Sequence, residues 1–204
     1  MLKPLVELIR SYDLNISGVI HIGGHRGQEY RDYINAGIKD IAFVEPHPIN
    51  FEILKKNVGK ECLLFETALG NQEGTVEMYI EEANDGQSNS LLEPCIHLSQ
   101  YPHIQFLYMI DVPITKLDSL PLDHKKFNFI NIDVQGFELE VFKGGPETLK
   151  SIDYIYSEVN RDEVYKNCVK VETLDFFLKE FGFERIETWW DGITWGDALY
   201  INNK

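Results

Sequence analysis

Three glycines, Gly23, Gly24 and Gly27, stand in the stretch HIGGHRGQE, directly after the apolar residues Gly18-Val19-Ile20. Glycine between a strand and a helix either relieves a steep turn or lets the backbone come close to a ligand. In an open α/β sheet such a turn brings backbone N–H groups against a nucleotide-like ligand. Glu45 closes the next apolar run, in FVEPHP, about twenty residues on, where an acidic side chain accepts hydrogen bonds from ribose hydroxyls. Asp133 ends the densest apolar run, in FINIDVQGFE, and Glu158 ends another, in YIYSEVN. Carboxylates at the ends of buried strands are placed to face a reacting centre, and Asn160 and Arg161 follow closely enough to orient a polar substrate.

Two carriers suit a glycine turn followed by an acidic residue. A dinucleotide fingerprint, G-x-G-x-x-G, needs a glycine two residues before Gly24, and that position is Ile22. A ligand without a pyrophosphate has no such need, so the pattern favours S-adenosylmethionine over NAD. An NAD-dependent oxidoreductase and a cofactor-binding module without turnover are the competing functions; intact Gly23, Gly27, Glu45 and Asp133 argue against the second. Among His25, His47, His97 and His103 no pair has the i, i+4 spacing of a helical metal motif. His97 lies in an irregular stretch and is a second candidate base, while His47, between two prolines, suits a turn.

These residues need a frame. An amphipathic helix opens the chain with Leu5, Leu8 and Ile9 on one face. A strand over 18–22 precedes the glycine turn and a helix to about Ala36. KDIAFV is a strand stopped by Pro46 and Pro48, INFEILKKNV a helix, ECLLFETAL a third strand and GTVEMYIEE an extra one. Residues 83–106 show no period and are expected to form a long loop or lid. FNFINID is a strand, FELEVFKGG a helix, IDYIYSEVN a strand, and VETLDFFLKEFGF a helix ended by Gly182. ERIETWW and ALYINN are expected to pair antiparallel across DGITWGD. Alternating strands and helices imply a mostly parallel sheet covered on both faces, with ligands beyond the carboxyl ends of its strands.

With 204 residues, 44% of them hydrophobic, the chain suits one α/β domain over 1–204, with no repeat or linker to divide it. Its 33 acidic residues outweigh 19 basic ones, for a net charge of −14, which speaks against a grip on nucleic acid or anionic lipid. No apolar run approaches the roughly 20 residues of a spanning helix, and the N-terminal stretch lacks a signal peptide's apolar region. Three scattered cysteines, Cys62, Cys95 and Cys168, form no disulfide framework and fit a cytoplasmic setting.

The chain resembles the FkbM-type S-adenosylmethionine-dependent methyltransferases. The likeness is carried in order by VIHIGGHRGQE, FVEPHPINFEILKKNV, SNSLLEPCIHLSQYP, FINIDVQGFELEVFKGG, YIYSEVN, LKEFGF and WGDALY. It implies a class I, Rossmann-like methyltransferase fold, with a seven-stranded sheet and a terminal antiparallel hairpin. By position it also implies cofactor contacts from Gly23, Gly24 and Gly27, ribose binding by Glu45, and a contact near the methyl group from Asp133. Thr67 and Ala68 fall where such enzymes hold the adenine, and Ser88, Asn89 and Ser90 in a segment that closes on the site. His21 stands where many relatives have Asp and is carried over as a cofactor contact, which leaves open the group that meets the cofactor's amino end. Family members methylate hydroxyls of sugars, glycans, polyketides and other small molecules. The acidic charge and the aromatic residues Trp189, Trp190, Trp195 and Tyr200 favour a sugar in a glycan. A sugar hydroxyl is a poor nucleophile, so a base, with Asp133, Glu158 and His97 the candidates, or a divalent metal such as magnesium must take or acidify its proton.

Overall fold

In the computed structural model, which describes residues 1–204, α1 (Leu5–Tyr12) buries Leu5 and Leu8 and stops where Asp13 turns left-handed. The chain continues through β1 (Gly18–Ile22), α2 (Tyr30–Asn35), β2 (Asp40–Val44) and α3 (Pro48–Asn57), with Pro48 in the first helical turn, where its missing N–H costs nothing. β3 (Leu63–Phe65), β4 (Ala68–Leu69), β5 (Gly74–Glu81), α4 (Ile96–Gln100) and β6 (Phe106–Thr115) follow. The second half comprises β7 (Phe129–Ile132), α5 (Glu138–Lys143), α6 (Pro146–Leu149), β8 (Tyr154–Asn160), α7 (Val171–Lys179), β9 (Phe183–Asp191) and β10 (Trp195–Asn202).

The main sheet has seven strands in the order β3-β2-β1-β7-β8-β10-β9, parallel except for β10, which runs antiparallel to both neighbours. This is the class I methyltransferase architecture with its C-terminal antiparallel hairpin. Alternate residues of the central strands enter two separate cores: Ile20, Ile22, Val44, Ile130 and Ile132 on one face, Val19, Ile41, Phe43 and Phe129 on the other. Burial on both faces explains why these strands read as unbroken apolar runs.

Register builds the site. Ile22 pairs with both Val44 and Ile132, and Ile132 pairs with Ser157. The next residues of four strands, Gly23, Glu45, Asp133 and Glu158, therefore emerge in one row at the carboxyl edge. Asp197 of β10 lies directly opposite Glu158.

Three elements depart from the sequence expectation. ECLLFETAL is not one strand: its first part is the edge strand β3, its last part is β4 of a separate three-stranded sheet ordered β4-β6-β5. The chain leaves one sheet for the other across Glu66-Thr67, which local propensity does not reveal. β6 went unrecognised because Leu107, Tyr108 and Met109 are all exposed, which breaks the two-residue period, and because Pro113 argues against a strand with neighbours on both sides. The 83–106 stretch is more ordered than a loop. It holds a turn, a bridge between Ser90 and Tyr79, the helix α4 and a bridge between Pro94 and Tyr165.

Candidate active site

The glycine turn after β1 is needed chiefly for space. Gly23 has φ +80°, and a Cβ there would lie 1.8 Å from the Asp133 carbonyl oxygen. A Cβ on Gly24 would meet Phe43 at 2.8 Å, and one on Gly27 would meet Leu54 at 2.8 Å and Val58 at 2.9 Å. The N–H groups of Gly23 and Gly24 both donate to the Val44 carbonyl, at 3.0 and 2.9 Å, and that of Gly27 donates to Gly24. The turn's amides are thus used within the fold, contrary to the expectation that they face a ligand. Gly23 lines the cavity beyond the strand ends, whereas Gly24 and Gly27 do not.

That cavity, about 1040 Å³ with its open mouth, runs along the carboxyl edge of β2, β1, β7 and β8. Glu45 lies in its wall with two protein partners, the backbone N–H groups of His25 and His47, each donating at 2.8 Å to a different carboxylate oxygen. Burial raises its pKa to about 7, against those two bonds. A buried carboxyl with acceptor capacity left over, beside an open cavity, suits a diol. Thr67, Ala68, Leu69, Met78, Leu91 and Phe137 give the cavity a partly apolar slot, and the Thr67 hydroxyl is turned away onto the carbonyls of Ala68 (2.9 Å) and Pro113 (3.1 Å).

His21 is buried at the cavity floor, 3.0 Å from the Tyr33 hydroxyl through Nδ1. Asn131 donates to that hydroxyl at 2.7 Å, and the same amide nitrogen lies 3.4 Å from His21 Nε2. Burial lowers the histidine's pKa and keeps it neutral. Sequence reasoning missed Asn131, although its polar side chain inside the run FINID was the available signal.

The roof comes from the segment after β5. Gly86, Gln87, Asn89, Ser90 and Leu91 line the cavity, and the Asp85 carbonyl sits 2.9 Å from His25 Nε2. Asn89 accepts from the Glu81 backbone N–H at 2.9 Å, while its buried Nδ2 has no protein partner. Ser90 donates to the Gln135 carbonyl at 2.8 Å.

At the far end Gln135, which sequence reasoning also missed, joins the two predicted carboxyls. Its Nε2 donates to Asp133 Oδ1 at 2.6 Å and to Glu158 Oε2 at 2.8 Å, and its Oε1 accepts from Tyr165 at 2.8 Å. Its backbone is left-handed, φ 54°, in a turn fastened by Glu138, whose Oε1 accepts from Val134 (3.1 Å) and Gly136 (3.2 Å). Burial, then the neighbouring Asp133, push the Glu158 pKa well up.

A second cavity, about 1170 Å³ with its open mouth, opens from the first and shares Met1, Gln87, Asp133, Gln135, Glu158 and Asp197 with it. Its outer wall carries His97, Tyr101, His103, Asp191 and Trp195. His97 sits on α4, not on a free loop, packed against Tyr101, Phe106 and Tyr165, and burial lowers its pKa. Of the four aromatic residues singled out at the C-terminal end, only Trp195 reaches this space. Tyr200 is core, Trp189 packs on Tyr12 and Tyr156, and Trp190 stacks under Arg161. Asp197, a missed residue inside the quoted run WGDALY, accepts from Tyr156 at 2.7 Å.

Residues 21–185 match the methyltransferase FkbM domain. The chain belongs to the FkbM methyltransferase family. It is 28% identical over 213 aligned residues to the 2-O-methyltransferase NoeI of Sinorhizobium fredii (strain NBRC 101917 / NGR234), covering 99% of this chain and 85% of that one. Among solved structures it is similar to the N-methyltransferase NodS of Bradyrhizobium japonicum WM9, with a TM-score of 0.54, 12% identity, and 98% and 94% of the two chains covered. It is also similar to magnesium protoporphyrin IX methyltransferase of Synechocystis PCC 6803 with bound S-adenosylmethionine, at a TM-score of 0.53, 10% identity, and 97% and 76% coverage. The family decides between the two carriers: this is an S-adenosylmethionine-dependent methyltransferase, not an NAD-dependent oxidoreductase. The buried, under-partnered Glu45 and the slot beside it fit that cofactor. No three His, Cys, Asp or Glu side chains are grouped to hold a metal ion; the three candidate bases, Asp133, Glu158 and His97, all line the second cavity. No helix is long and apolar enough to cross a membrane.

Proposed function

We propose that this enzyme methylates a hydroxyl of a sugar in a glycan, acting in the cytoplasm as one domain over 1–204 and without a nucleic-acid partner. The observation that carries this is the second cavity, which meets the cofactor cavity at Asp133, Gln135 and Glu158 and is walled by polar side chains and Trp195. An aromatic face beside carboxyl and amide groups suits a sugar ring, whose hydroxyls need partners and whose C–H face stacks. The similarity to a 2-O-methyltransferase supports transfer to oxygen, and three free cysteines suit a reducing compartment.

Bound S-adenosylmethionine supplies an electrophilic methyl group on a sulfonium. Glu45 would hold the ribose hydroxyls, Thr67, Ala68 and Ser90 would flank the rest of the cofactor, and His21 would face it from the cavity floor. Gly23 lets β1 and β7 approach closely enough for Asp133 to stand beside the reacting centre. Asp133 would accept the hydroxyl proton as the methyl group passes from sulfur, which keeps the electron pair of the broken bond, to the acceptor oxygen, and Glu158 on the neighbouring strand faces the same acceptor. His97, neutral and facing the second cavity, is the alternative base.

A screen of sugars and oligosaccharides with labelled methyl donor, with and without magnesium, tests the function. Asp133→Asn is expected to keep S-adenosylhomocysteine binding and to lose roughly 10²–10⁴ in turnover. Near-normal turnover in Asp133→Asn with a large loss in His97→Ala transfers the base to the histidine.

A further inference from the structure

The second cavity carries four carboxyl groups, Asp133, Glu158, Asp191 and Asp197, against one ammonium, that of Met1, which lies 3.8 Å from Glu29, and no lysine or arginine side chain lines either cavity. The nearby guanidiniums are engaged elsewhere. Arg26 pairs with Asp85 at 3.3 Å and bonds to Asn50, and Arg161 stacks on Trp190 at 3.5 Å. We propose that this chamber admits a neutral polyhydroxyl acceptor and rejects phosphate-bearing ones, so that the sugar arrives already joined in a glycoside and not as a nucleoside diphosphate sugar. The inference deepens the sugar-methylating function proposed above and rests on it.

The geometry of the acceptor makes the distinction sharp. In a nucleoside diphosphate sugar the first phosphate sits on the anomeric carbon, no more than a ring's width from any ring hydroxyl. Presenting a hydroxyl to Asp133 therefore brings that phosphate into the chamber, among Glu158, Asp191 and Asp197. Proteins hold phosphate with arginine forks or lysine ammonium groups, and the lining has neither. A further dianion in the same space meets Asp133, Asp191 and Asp197, and the one ammonium that lines the chamber, that of Met1, already lies 3.8 Å from Glu29. A neutral ring meets the opposite conditions. Its hydroxyls can bond to the carboxyls and to Gln87 and Gln135, and Trp195 is held in place by donating its indole N–H to the Tyr101 hydroxyl at 3.0 Å.

This sets the order of reactions. The reaction that supplies the substrate is a glycosyl transfer: the anomeric carbon bonds to an acceptor oxygen, and the nucleoside diphosphate leaves with the electron pair of the broken C–O bond. Methylation follows on the glycoside.

Two measurements test this. Methyl glycosides of glucose, galactose, mannose, fucose and rhamnose are compared with the matching nucleoside diphosphate sugars as acceptors of labelled methyl. In parallel, protein loaded with S-adenosylhomocysteine is titrated with UDP and GDP, with and without magnesium, while the Trp195 indole N–H is followed by NMR. The expected result is label in glycosides, a kcat/KM at least roughly a hundredfold lower for the sugar nucleotides, and an unmoved Trp195 signal at millimolar UDP and GDP. A sugar nucleotide methylated as well as its glycoside overturns the inference and leaves sugar methylation standing. A Trp195 signal that shifts on adding UDP or GDP overturns it without reference to turnover. Label entering a non-carbohydrate hydroxyl and no sugar of either kind removes both the function and the inference.

Discussion

Replacing Glu45 by glutamine separates the energetic cost of this buried carboxyl from its use. Glu45 is 5% exposed, and its pKa is raised to about 7 by burial. An unfolded glutamate titrates near 4.5, so the folded, ligand-free protein keeps a proton that the unfolded chain has lost between the two values. A raised carboxyl pKa stabilises the fold below about 4.5, and that contribution disappears as pH rises through about 7. At about 1.4 kcal/mol per unit, a difference of about 2.5 units is worth roughly 3 kcal/mol in the pH dependence of stability. An amide cannot ionise, so the Glu45→Gln variant lacks this component. It also presents one acceptor oxygen to two backbone donors, which costs about 1–3 kcal/mol at every pH. Urea denaturation of ligand-free protein at about pH 5 and about pH 8 isolates the titrating part. Wild type is expected to lose roughly 2.5 kcal/mol more between those values than the variant does, since part of the effect is already lost at about pH 5. Glu138, also raised to about 7 by burial, titrates in both proteins and cancels. Calorimetry is expected to show S-adenosylmethionine and S-adenosylhomocysteine bound more weakly by about 1.5–3 kcal/mol, the worth of charged hydrogen bonds to a diol. Stability curves that stay parallel within about 0.5 kcal/mol refute the raised pKa, and unchanged affinity refutes the ribose contact.

Three other perturbations address neighbouring parts of the site. Gln135→Met keeps side-chain length but removes the donors that hold Asp133 and Glu158; turnover is expected to fall roughly tenfold or more while S-adenosylhomocysteine affinity stays within about threefold, and steady-state kinetics beside calorimetry check the split. Gly23→Ala places a Cβ 1.8 Å from the Asp133 carbonyl at a left-handed φ, so thermal or urea unfolding should show a loss of at least about 2 kcal/mol; an undiminished midpoint contradicts the packing account. His25→Asn keeps a residue tolerant of the left-handed backbone but withdraws the ring from the Asp85 carbonyl; a Glu-specific protease should cleave after Glu82 faster than in wild type when no cofactor is bound, and equal rates argue that the roof is held by other bonds.

The sequence by itself determined the parts of this protein that are local or strongly periodic. Buried parallel strands need continuous apolar residues, so β1, β2, β7 and β8 were legible, and so were the carboxyls that follow β2 and β7, whereas β8 runs two residues past Glu158 to Asn160 because β10 pairs with it there. The glycine turn was legible as a necessity but not in its reason. That Gly24 and Gly27 make room for Phe43, Leu54 and Val58, with the turn's amides bonded inside the fold, depends on neighbours far along the chain. The resemblance to the FkbM family located Thr67 and Ser90 without explaining the sheet change at Glu66-Thr67. Tertiary structure alone decided which polar residues share one space. Gln135, Asn131 and Asp197 carry no spacing signal, because side chains from different strands meet only once register aligns Ile22 with Val44 and Ile132, and Asp197 with Glu158. The same holds for the four C-terminal aromatic residues, whose types were plain in the sequence. Strand alternation sends Trp189 and Trp190 to opposite faces, so only pairing in three dimensions could leave Trp195 at the second cavity and Tyr200 in the core.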